Sequence, residues 1–499
     1  MKNRILSSIL LAGILLSSFN SCSDNTAETE GTPSDPSADT SAVSAETEPE
    51  ETEAETVDVK AYLGERDFGG MTFSIVGNSA GHGEWLSREI VVEELTGEPM
   101  NDAIYNRNLY LEDVYNVTIA LVESGSSADA MKTSTQAGTD DYQSGHVNAN
   151  QAANLALNGI LHDLYDLPHV DLTKPWYDQN AVDSLSINNR LYLTFADSNI
   201  QNKDLTWCVM FNKQLAENMQ LEDLYDVVNR GAWTLDLVTE LAHSANQDTD
   251  GNGEYNAKDQ WGLCTPFDRT CLALMYSSGV TFYTSDADDI VSYKAPDDLT
   301  YSAYEKVINL YYNNQGTLNV NSLSGQWRES ESLFMNNQVL FYIECMQNLE
   351  RFREMEVDFG ILPMPKNNEE QTIYRHMVCD FPTATVVSSA VKNPEEVGFI
   401  LEAFNAKSRD TIVPAYYDIS LKSKFSRDEA SSKMLDIIFA SQYYDPTFLM
   451  SWGLCSHVGS WAVDHVTEIA SKFKSAEKLN NKKLEKTVAY YTADKQTAE

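Results

Sequence analysis

Residues 174–213 read KPWYDQNAVDSLSINNRLYLTFADSNIQNKDLTWCVMFNK, and this stretch decides the predicted fold. Its middle part, Ile187–Ala196, has the apolar character that predicts a strand. Asp197–Asn199 then interrupts the run with residues that favour turns. A second apolar run, Leu205–Phe211, begins a new element. The pattern predicts two ordered elements joined by a short polar hinge.

This stretch resembles the point where the extracellular solute-binding proteins of ABC importers cross from one lobe to the other. In that family, a segment rich in Trp or Tyr leads to a strand with an N-x-x-Y piece, a polar hinge and a strand ending in Asn-Lys. Here Trp176 and Tyr177 begin the segment, Asn189–Tyr192 gives the second piece and Asn212–Lys213 gives the last. Nearly the whole mature chain supports the resemblance, which points to the family 1 sugar-binding lipoproteins.

The resemblance implies a fold and a mode of action. The fold is α/β with two lobes, a cleft between them and a helical C-terminal segment. The lobes are expected to close reversibly on a small-molecule ligand, a sugar or oligosaccharide, and the loaded protein to dock on an ABC transporter permease. A monomer without catalytic residues is expected.

Composition limits the classes of function. The chain has 499 residues, of which 42% are hydrophobic, which is enough for more than one core. Its formal net charge is -40, from 75 acids and 35 bases. Such a surface repels phosphate backbones and anionic lipid headgroups, so nucleic acid is excluded as a partner and contact with the membrane is expected through an anchor only.

The first 22 residues predict a secretory signal. Lys2 and Arg4 precede the apolar run Ile5–Leu16, which is too short to cross a bilayer. Cys22 follows Ser21 as in a bacterial lipoprotein, although ordinary secretion with Cys22 lost or free is the alternative. Residues 23–58 carry 12 acids and no Lys or Arg, which predicts a disordered acidic linker over 23–60. The chain is therefore expected to be lipid-anchored at Cys22 on the extracellular face of the cell membrane.

Alternating strand and helix patterns predict the lobes. Apolar runs at Met71–Val76, Val117–Val122, Gln338–Ile343 and Thr383–Val387 predict strands, with helical patterns between them. We assign residues 61–200 to the first part of lobe 1, 201–370 to lobe 2, and 371–499 to the return to lobe 1 and the C-terminal helices. Thr234 is expected to cap one helix, and residue 394, a proline, to open another.

The loop 248–259 resembles an EF-hand calcium loop. Its candidate ligands offer oxygens at positions one, three, five, seven and twelve of that pattern: Asp248, Asp250, Asn252, Glu254 and Asp259. Gly253 stands at position six, where the backbone must bend sharply. Asp259 departs from the pattern, because the family has a longer, bidentate Glu there. The sequence predicts a structural calcium site or, as the alternative, a turn-rich loop without an ion.

The six cysteines after Cys22 form no CxxC pair and stand in apolar contexts, which predicts buried thiols. Disulfides stay possible, and Cys264 with Cys271 is the closest pair in the sequence. Motifs for zinc proteases, serine hydrolases and P-loop enzymes are absent. No catalytic residue is therefore predicted.

The ligand cleft is predicted from strand ends, because ligands of open α/β sheets bind beyond the carboxyl ends of the strands. The loops that leave the predicted strands begin at four polar residues: Asn78, Asp197, Glu344 and Asp380. Sugars also need flat aromatic rings, and we assign Trp176 and Trp452 to that role because turn residues flank them. Packing in the core is the alternative for either Trp.

Two other functions stay open at this stage. A surface-anchored glycoside hydrolase is also rich in aromatics, and two carboxylates suffice for its chemistry. A non-transport carbohydrate-binding protein also fits a lipid anchor, whereas an adhesin or scaffold fits the anchor but not the α/β pattern. The hinge-like crossover and the lack of a nucleophile or metal motif favour solute capture.

Overall fold

The computed structural model describes residues 57–79, 89–352, 354–422 and 429–493. The predicted signal peptide, Cys22 and nearly all of the predicted linker lie outside these residues. The described residues belong to one compact unit, Thr56–Glu499. Within them, no helix combines the length and apolar character that crossing a bilayer requires.

The first sheet has four strands: β1 (Met71–Asn78), β2 (Val117–Ser124), β3 (Ser144–Asn148) and β12 (Thr383–Val387). Their order is β12-β3-β1-β2. β1 pairs in parallel with β2 and β3, and β12 pairs antiparallel with β3. A strand from late in the chain therefore completes a sheet whose other strands come from before residue 150.

The second sheet has five strands: β4 (Trp207–Asn212), β5 (Trp261–Thr265), β8 (Thr317–Asn319), β9 (Val339–Cys345) and β10 (Phe359–Leu362). Their order is β10-β4-β9-β5-β8, with β9 parallel to β5 and antiparallel to β4. All strands of this sheet come from the middle of the chain. Each sheet is the centre of one lobe.

The remaining strands form two small sheets: β6 (Tyr283–Ser285) with β7 (Val291–Tyr293), and β11 (His376–Met377) with β13 (Gln442–Tyr443). The helices of the first half are α1 (Val59–Leu63), α2 (Pro99–Tyr115), α3 (Ser127–Ala137), α4 (Ala149–Ala156), α5 (Gln179–Leu185), α6 (Gln201–Asp204), α7 (Lys213–Asn218), α8 (Leu224–Asn229) and α9 (Leu235–Ala245). Those of the second half are α10 (Phe267–Ser277), α11 (Asp298–Ile308), α12 (Gln326–Met335), α13 (Leu349–Phe352), α14 (Pro394–Lys422), α15 (Glu429–Ala440), α16 (Pro446–Leu449), α17 (Leu454–Val463) and α18 (Ile469–Thr492).

Two predicted helix starts are confirmed. The Thr234 side chain accepts a hydrogen bond from the Leu237 backbone N–H, as an N-cap does. Residue 394, a proline, is the first residue of α14, where its missing N–H costs no helical bond. The predicted strand Thr383–Val387 is β12 with the same bounds.

The predicted strand Ile187–Ala196 is wrong. The backbone of Asn188 and Asn189 is left-handed, with φ of 53° and 54°, so the chain turns there and Ile187 pairs with Arg190 in an isolated bridge. Two adjacent asparagines are a turn signal that the apolar run outweighed in the prediction. The rest of the segment crosses the first lobe as irregular, buried chain.

Alternate side chains of β4 enter two cores on opposite faces of the second sheet. Trp207, Val209 and Phe211 lie in one core, and Cys208 and Met210 lie in the other. Because successive side chains of a strand point to opposite faces, a strand covered by helices on both sides is apolar throughout. This explains why the run at 205–211 is continuously apolar.

Helix α9 packs against the backbone of the second sheet at Gly262. A Cβ added to Gly262 would lie 1.9 Å from the carbonyl oxygen of Ala242 in that helix. Gly316, just before β8, approaches the same oxygen: a Cβ there would lie 2.3 Å away. The absence of a side chain at both positions permits the close packing.

The six cysteines of the described chain are free and buried, which confirms the prediction of buried thiols. Cys264 and Cys271 are therefore not joined in a disulfide. Burial in apolar surroundings raises the pKa of the Cys379 thiol to about 12, so it is not a nucleophile at neutral pH.

Candidate functional site

The strand ends of the two lobes meet in one region. In the first sheet, β1 and β3 end at Asn78 and Asn148, and β12 begins beside the end of β3. In the second sheet, β5 ends at Thr265 and β9 at Cys345, which places both carboxyl ends at one edge. Arg269, four residues after β5, contacts Asp380, three residues before β12. The two edges therefore face each other across that contact.

Asn78 joins the strand ends of the first lobe. Its Nδ2 donates a hydrogen bond of 3.0 Å to Oδ1 of Asn148, and its Oδ1 accepts one of 2.9 Å from the backbone N–H of Ser127 at the start of α3. Asn148 in turn donates through Nδ2 to the carbonyl oxygen of Phe381. These bonds tie β1, β3 and the segment before β12 into one edge.

An ion pair links the second lobe to this edge. Nη1 of Arg269, in the first turn of α10, lies 2.9 Å from Oδ1 of Asp380. Nδ2 of Asn150, at the start of α4, lies 3.5 Å from the other oxygen, Oδ2. Asp380 is nearly buried, whereas Asn150 and Arg269 are half-buried. Side chains from both lobes therefore share one carboxylate at the cleft.

Two aromatic rings flank the Arg269 guanidinium. The ring centroid of Phe381 lies 5.2 Å from Cζ of Arg269 and that of Phe448 lies 5.3 Å away, within the range of cation–π attraction. Phe448 is buried, but Phe381 is 37% exposed. We call the polar and aromatic set formed here the cleft cluster; it consists of Asn78, Asn148, Asn150, Arg269, Asp380 and Phe381.

Glu344, the next-to-last residue of β9, lies at the same edge of the second lobe. It is 5% exposed, and its Oε1 accepts a hydrogen bond from the Cys345 backbone N–H at 3.0 Å. Burial raises the pKa of Glu344 to about 7, partly offset by that N–H, and the charge of Asp268 raises it further. A carboxyl group with such a pKa carries a proton for part of the time at neutral pH.

Asp197 lies apart from the cleft cluster, at the predicted hinge. Its Oδ2 is 3.0 Å from Nη1 of Arg409 on α14, and its Oδ1 is 3.6 Å from Nζ of Lys203. Burial raises the pKa of Asp197, and the two cations oppose that effect. Both oxygens are held by ion pairs, so Asp197 fixes the hinge segment to the long helix of the first lobe.

The two tryptophans assigned to the cleft lie in the core of the first lobe. Trp176 is 3% exposed and donates through Nε1 to Oε1 of Glu402, and Trp452 is 1% exposed and donates to Oγ1 of Thr487. Neither ring has a face open to a ligand in this arrangement. This burial favours the packing alternative for both tryptophans. The turn residues beside them, Pro175 and Gly453, therefore do not mark a ligand site.

The sequence interpretation missed Arg269 and Phe381. Arg269 follows the end of β5 by four residues, so the strand-end rule would have found it had Trp261–Thr265 been recognised as a strand. Phe381 is adjacent to Asp380, which was predicted. It was overlooked because Trp was preferred over Phe as a sugar-stacking residue.

The loop 248–259 brings three carboxylates together. One oxygen each from Asp248, Asp250 and Asp259 lies within 4.8 Å of the others. The Asp248 oxygens accept from the backbone N–H groups of Gly251 and Gly253, and these bonds, that from Gly253 first, lower its pKa. Asp259 is buried, so its shorter side chain reaches the loop from inside the second lobe. Hard oxygens at this spacing fit a calcium ion.

Comparison with solved structures identifies the architecture. An ABC substrate-binding protein from Listeria monocytogenes in complex with cycloalternan is 15% identical; the match covers 83% of this chain and 99% of that chain, with a TM-score of 0.53. A cyclo/maltodextrin-binding protein complexed with maltotetraose is 12% identical over 83% of this chain and 97% of that chain, with a TM-score of 0.55. A maltose/maltodextrin-binding domain from Bdellovibrio bacteriovorus bound to maltotriose is 12% identical over 84% and 100% of the two chains, with a TM-score of 0.51.

Neither a protein-family model nor a curated protein sequence matches the chain. At the identities above, the structural likeness establishes the fold alone: α/β, with two lobes and a cleft, as in the proteins just described. The predicted fold class, including a helical C-terminal segment, is confirmed.

Proposed function

We propose that this protein captures a soluble saccharide between its lobes and delivers it to the permease of an ABC importer. The observation that carries the proposal is the cleft cluster, in which Arg269 of one lobe and Asp380 at the edge of the other meet at the strand ends. Structures that share the fold hold cycloalternan, maltotetraose and maltotriose, which supports the same ligand class here.

The chemistry of the cleft cluster suits a sugar. Phe381 is 37% exposed, and a partly exposed aromatic ring can pack against the C–H groups of a pyranose. Among the described contacts of Arg269, Asp380 engages Nη1, which leaves Nε and Nη2 to donate to sugar hydroxyls. The Asn150 amide adds a donor and an acceptor beside them. A sugar hydroxyl both donates and accepts, so it can pair with the Arg269 N–H groups and with either end of the Asn150 amide.

Capture follows from the position of the ion pair. Arg269 belongs to the second lobe and Asp380 to the segment that returns to the first, so a ligand bound to both is held between the lobes. A ligand that contacts both lobes favours the closed arrangement by its differential affinity. Domain closure about a few hinge residues is the established motion of such two-lobe folds, and Asp197–Asn202 is our proposed hinge.

The proposal extends to location and partners. Lipid attachment at Cys22 and the acidic linker would hold a monomer at the extracellular face of the cell membrane, near its permease. The protein would act by binding and not by catalysis. The raised pKa of Glu344 is what a general acid of a glycoside hydrolase requires, so hydrolysis is measured together with binding.

The test is a thermal-shift screen of the purified, signal-free chain with neutral oligosaccharides: maltotriose, maltotetraose, cycloalternan and xylotriose. A ligand at about 100 times its Kd stabilises the folded state by about 2.7 kcal/mol, so at least one member is expected to raise the melting temperature. No shift from any member would refute saccharide capture. Cleavage of a member above the buffer rate would instead support the hydrolase.

We further propose that the loop 248–259 binds a structural calcium ion. The proposal rests on the three carboxylates, the left-handed Gly251 and Gly253 and the motif spacing. The loop leads from α9 into β5, so an ion there would brace the second lobe. Asp248, Asp250, Asn252, Glu254 and Asp259 are the proposed ligands, with the Glu254 carbonyl oxygen as the backbone contribution.

A further inference from the structure

Two carboxylates behind the cleft cluster have an oxygen that no described residue satisfies. Oε2 of Glu344 and Oδ1 of Asp268 are buried atoms without a hydrogen-bond partner among the described residues. Asp268 precedes Arg269 in the first turn of α10, and Glu344 is the next-to-last residue of β9. The two carboxyl groups are close enough for their charges to interact. Both groups therefore lie near the carboxyl ends of β5 and β9, the edge of the second lobe from which Arg269 reaches Asp380.

We infer that Glu344 and Asp268 form a subsite that requires a hydrogen-bond donor from the ligand and discriminates against anionic saccharides. This inference rests on the proposed function and specifies the ligand class: neutral or amino sugars that present a hydroxyl or ammonium group here. Uronic acids and phosphorylated or sulfated sugars are excluded.

Hydrogen-bond accounting supports the requirement for a donor. A buried acceptor left unpaired costs about 1–3 kcal/mol, and more if it is charged. Glu344 is 5% exposed and uses only Oε1 within the described chain, so a donor that reaches Oε2 recovers that cost. A hydroxyl or ammonium group supplies a donor, whereas an ionised carboxylate or phosphate supplies only acceptors.

The charge balance supports the discrimination. Arg269 is the cation of the cleft cluster, and Asp380 already neutralises it. Glu331 on α12 faces Glu344 but is paired with Arg328 and Arg351. The charges of Asp268 and of ionised Glu344 then remain, so a negative ligand group meets like charge in a partly desolvated site.

Glu344 also makes the subsite sensitive to pH. The titratable groups around it are Asp268 on α10, Glu331 on α12, the Cys208 thiol on β4, and Tyr342 and the Cys345 thiol on its own strand. Of these groups, the two thiols and the phenol stay neutral at pH 7, because burial raises their pKa far above it. Since a donor pairs best with the ionised form of Glu344, affinity for a neutral saccharide is expected to rise with pH through about 7.

The experiment compares the wild type with Glu344→Gln by isothermal titration calorimetry. The probes are the neutral oligosaccharides above, a glucosamine trimer and a galacturonic acid trimer. Glu402→Gln is the matched control: that carboxyl is also buried with a pKa of about 7, but Tyr62, Trp176 and Tyr177 donate to its oxygens.

We expect the wild type to bind a neutral or amino saccharide and not the galacturonic acid trimer. Glu344→Gln should weaken that binding at least tenfold. Wild-type affinity for a neutral probe should fall about tenfold from about pH 8 to about pH 6, since ionised Glu344 falls about tenfold over that interval. The dependence on pH should vanish in Glu344→Gln and persist in Glu402→Gln. If Glu344→Gln does not fold, Asp268→Asn is expected to show the same tenfold loss.

The outcomes separate this inference from the proposed function. Tightest binding of the galacturonic acid trimer overturns the subsite. Equal affinity of a neutral probe for wild type, Glu344→Gln and Asp268→Asn also overturns it, while saccharide capture stands. If no saccharide binds to the wild type, capture fails and the subsite falls with it.

Discussion

Removal of one exposed ring should separate ligand binding from stability. Phe381 is 37% exposed, and an aromatic side chain buries about 200 Å² in full, so about 75 Å² of this residue can be covered by a sugar. At about 25 cal/mol/Å², Phe381→Ala should lose about 1.9 kcal/mol of binding free energy, a factor of about 20 in Kd. Isothermal titration with the neutral oligosaccharide that gives the largest thermal shift measures this loss.

Two further variants sharpen that comparison. Tyr165 is 41% exposed, but it follows the Leu161–Ser388 bridge, at the end of β12 away from the cleft, so Tyr165→Ala should bind as the wild type does. Trp176→Ala should lower the free energy of unfolding by about 3–5 kcal/mol, because it empties a core position. Wild-type affinity of Phe381→Ala, or an equal loss in Tyr165→Ala, would contradict the placement of the ligand against Phe381.

The other predictions concern stability and location. Gly262→Ala should cost more than about 3 kcal/mol, since its Cβ overlaps a helix carbonyl, whereas Gly125→Ala, with open space around its Cβ, should be nearly neutral in denaturant unfolding. Burial raises the pKa of Glu402 from 4.5 to about 7, so the folded state holds the carboxyl proton up to a higher pH than the unfolded chain does. Relative to Glu402→Gln, the wild type should therefore lose about 3 kcal/mol of its free energy of unfolding between pH 4.5 and pH 7. Equal pH–stability curves of the two proteins would contradict this. Chelation should lower the melting temperature of the wild type but not of Asp248→Asn, and identical curves with chelator and with calcium would argue against an ion. Cys22→Ala should appear in the medium, and retention on cells in high salt would contradict lipid attachment.

The elements that the sequence predicted correctly are those that depend on residues close together in the chain. Thr234 and residue 394, a proline, were placed correctly because a cap and a helix start depend on the neighbouring few residues. The strand predicted at Ile187–Ala196 was wrong because the only part of β12 that pairs with this run is reached by Thr194, and β12 lies far along the chain. Apolar periodicity does not reveal whether such a partner is present along the whole run.

The same limit applies to the site. The sequence predicted Asn78 and Asp380 for the cleft because strand ends can be read from local patterns. It did not predict Arg269, which contacts Asp380, because the strand before it, β5, was not recognised. Whether a tryptophan packs inside or faces a ligand depends on atoms remote in sequence: Glu402 for Trp176 and Thr487 for Trp452. Turn residues beside each ring carry no information about those partners.

The late strand β12 has a consequence for biogenesis. Oγ of Ser144 on β3 donates to the carbonyl of Val386, 242 positions along the chain, so the first lobe cannot complete its sheet until all strands of the second sheet have emerged. The five strands of the second sheet all lie between residues 207 and 362, so this sheet can pair before β12 is made, while the core on one of its faces is completed later by Leu454, Trp461 and Phe473 of the last two helices. Closing such a long loop costs conformational entropy before the contact between β3 and β12 can stabilise it, and this slows folding to the native topology. A nascent chain would therefore leave the β3 edge of its first sheet unpaired until β12 emerges, and if the predicted signal peptide directs export, that edge belongs to the part of the chain that is threaded first.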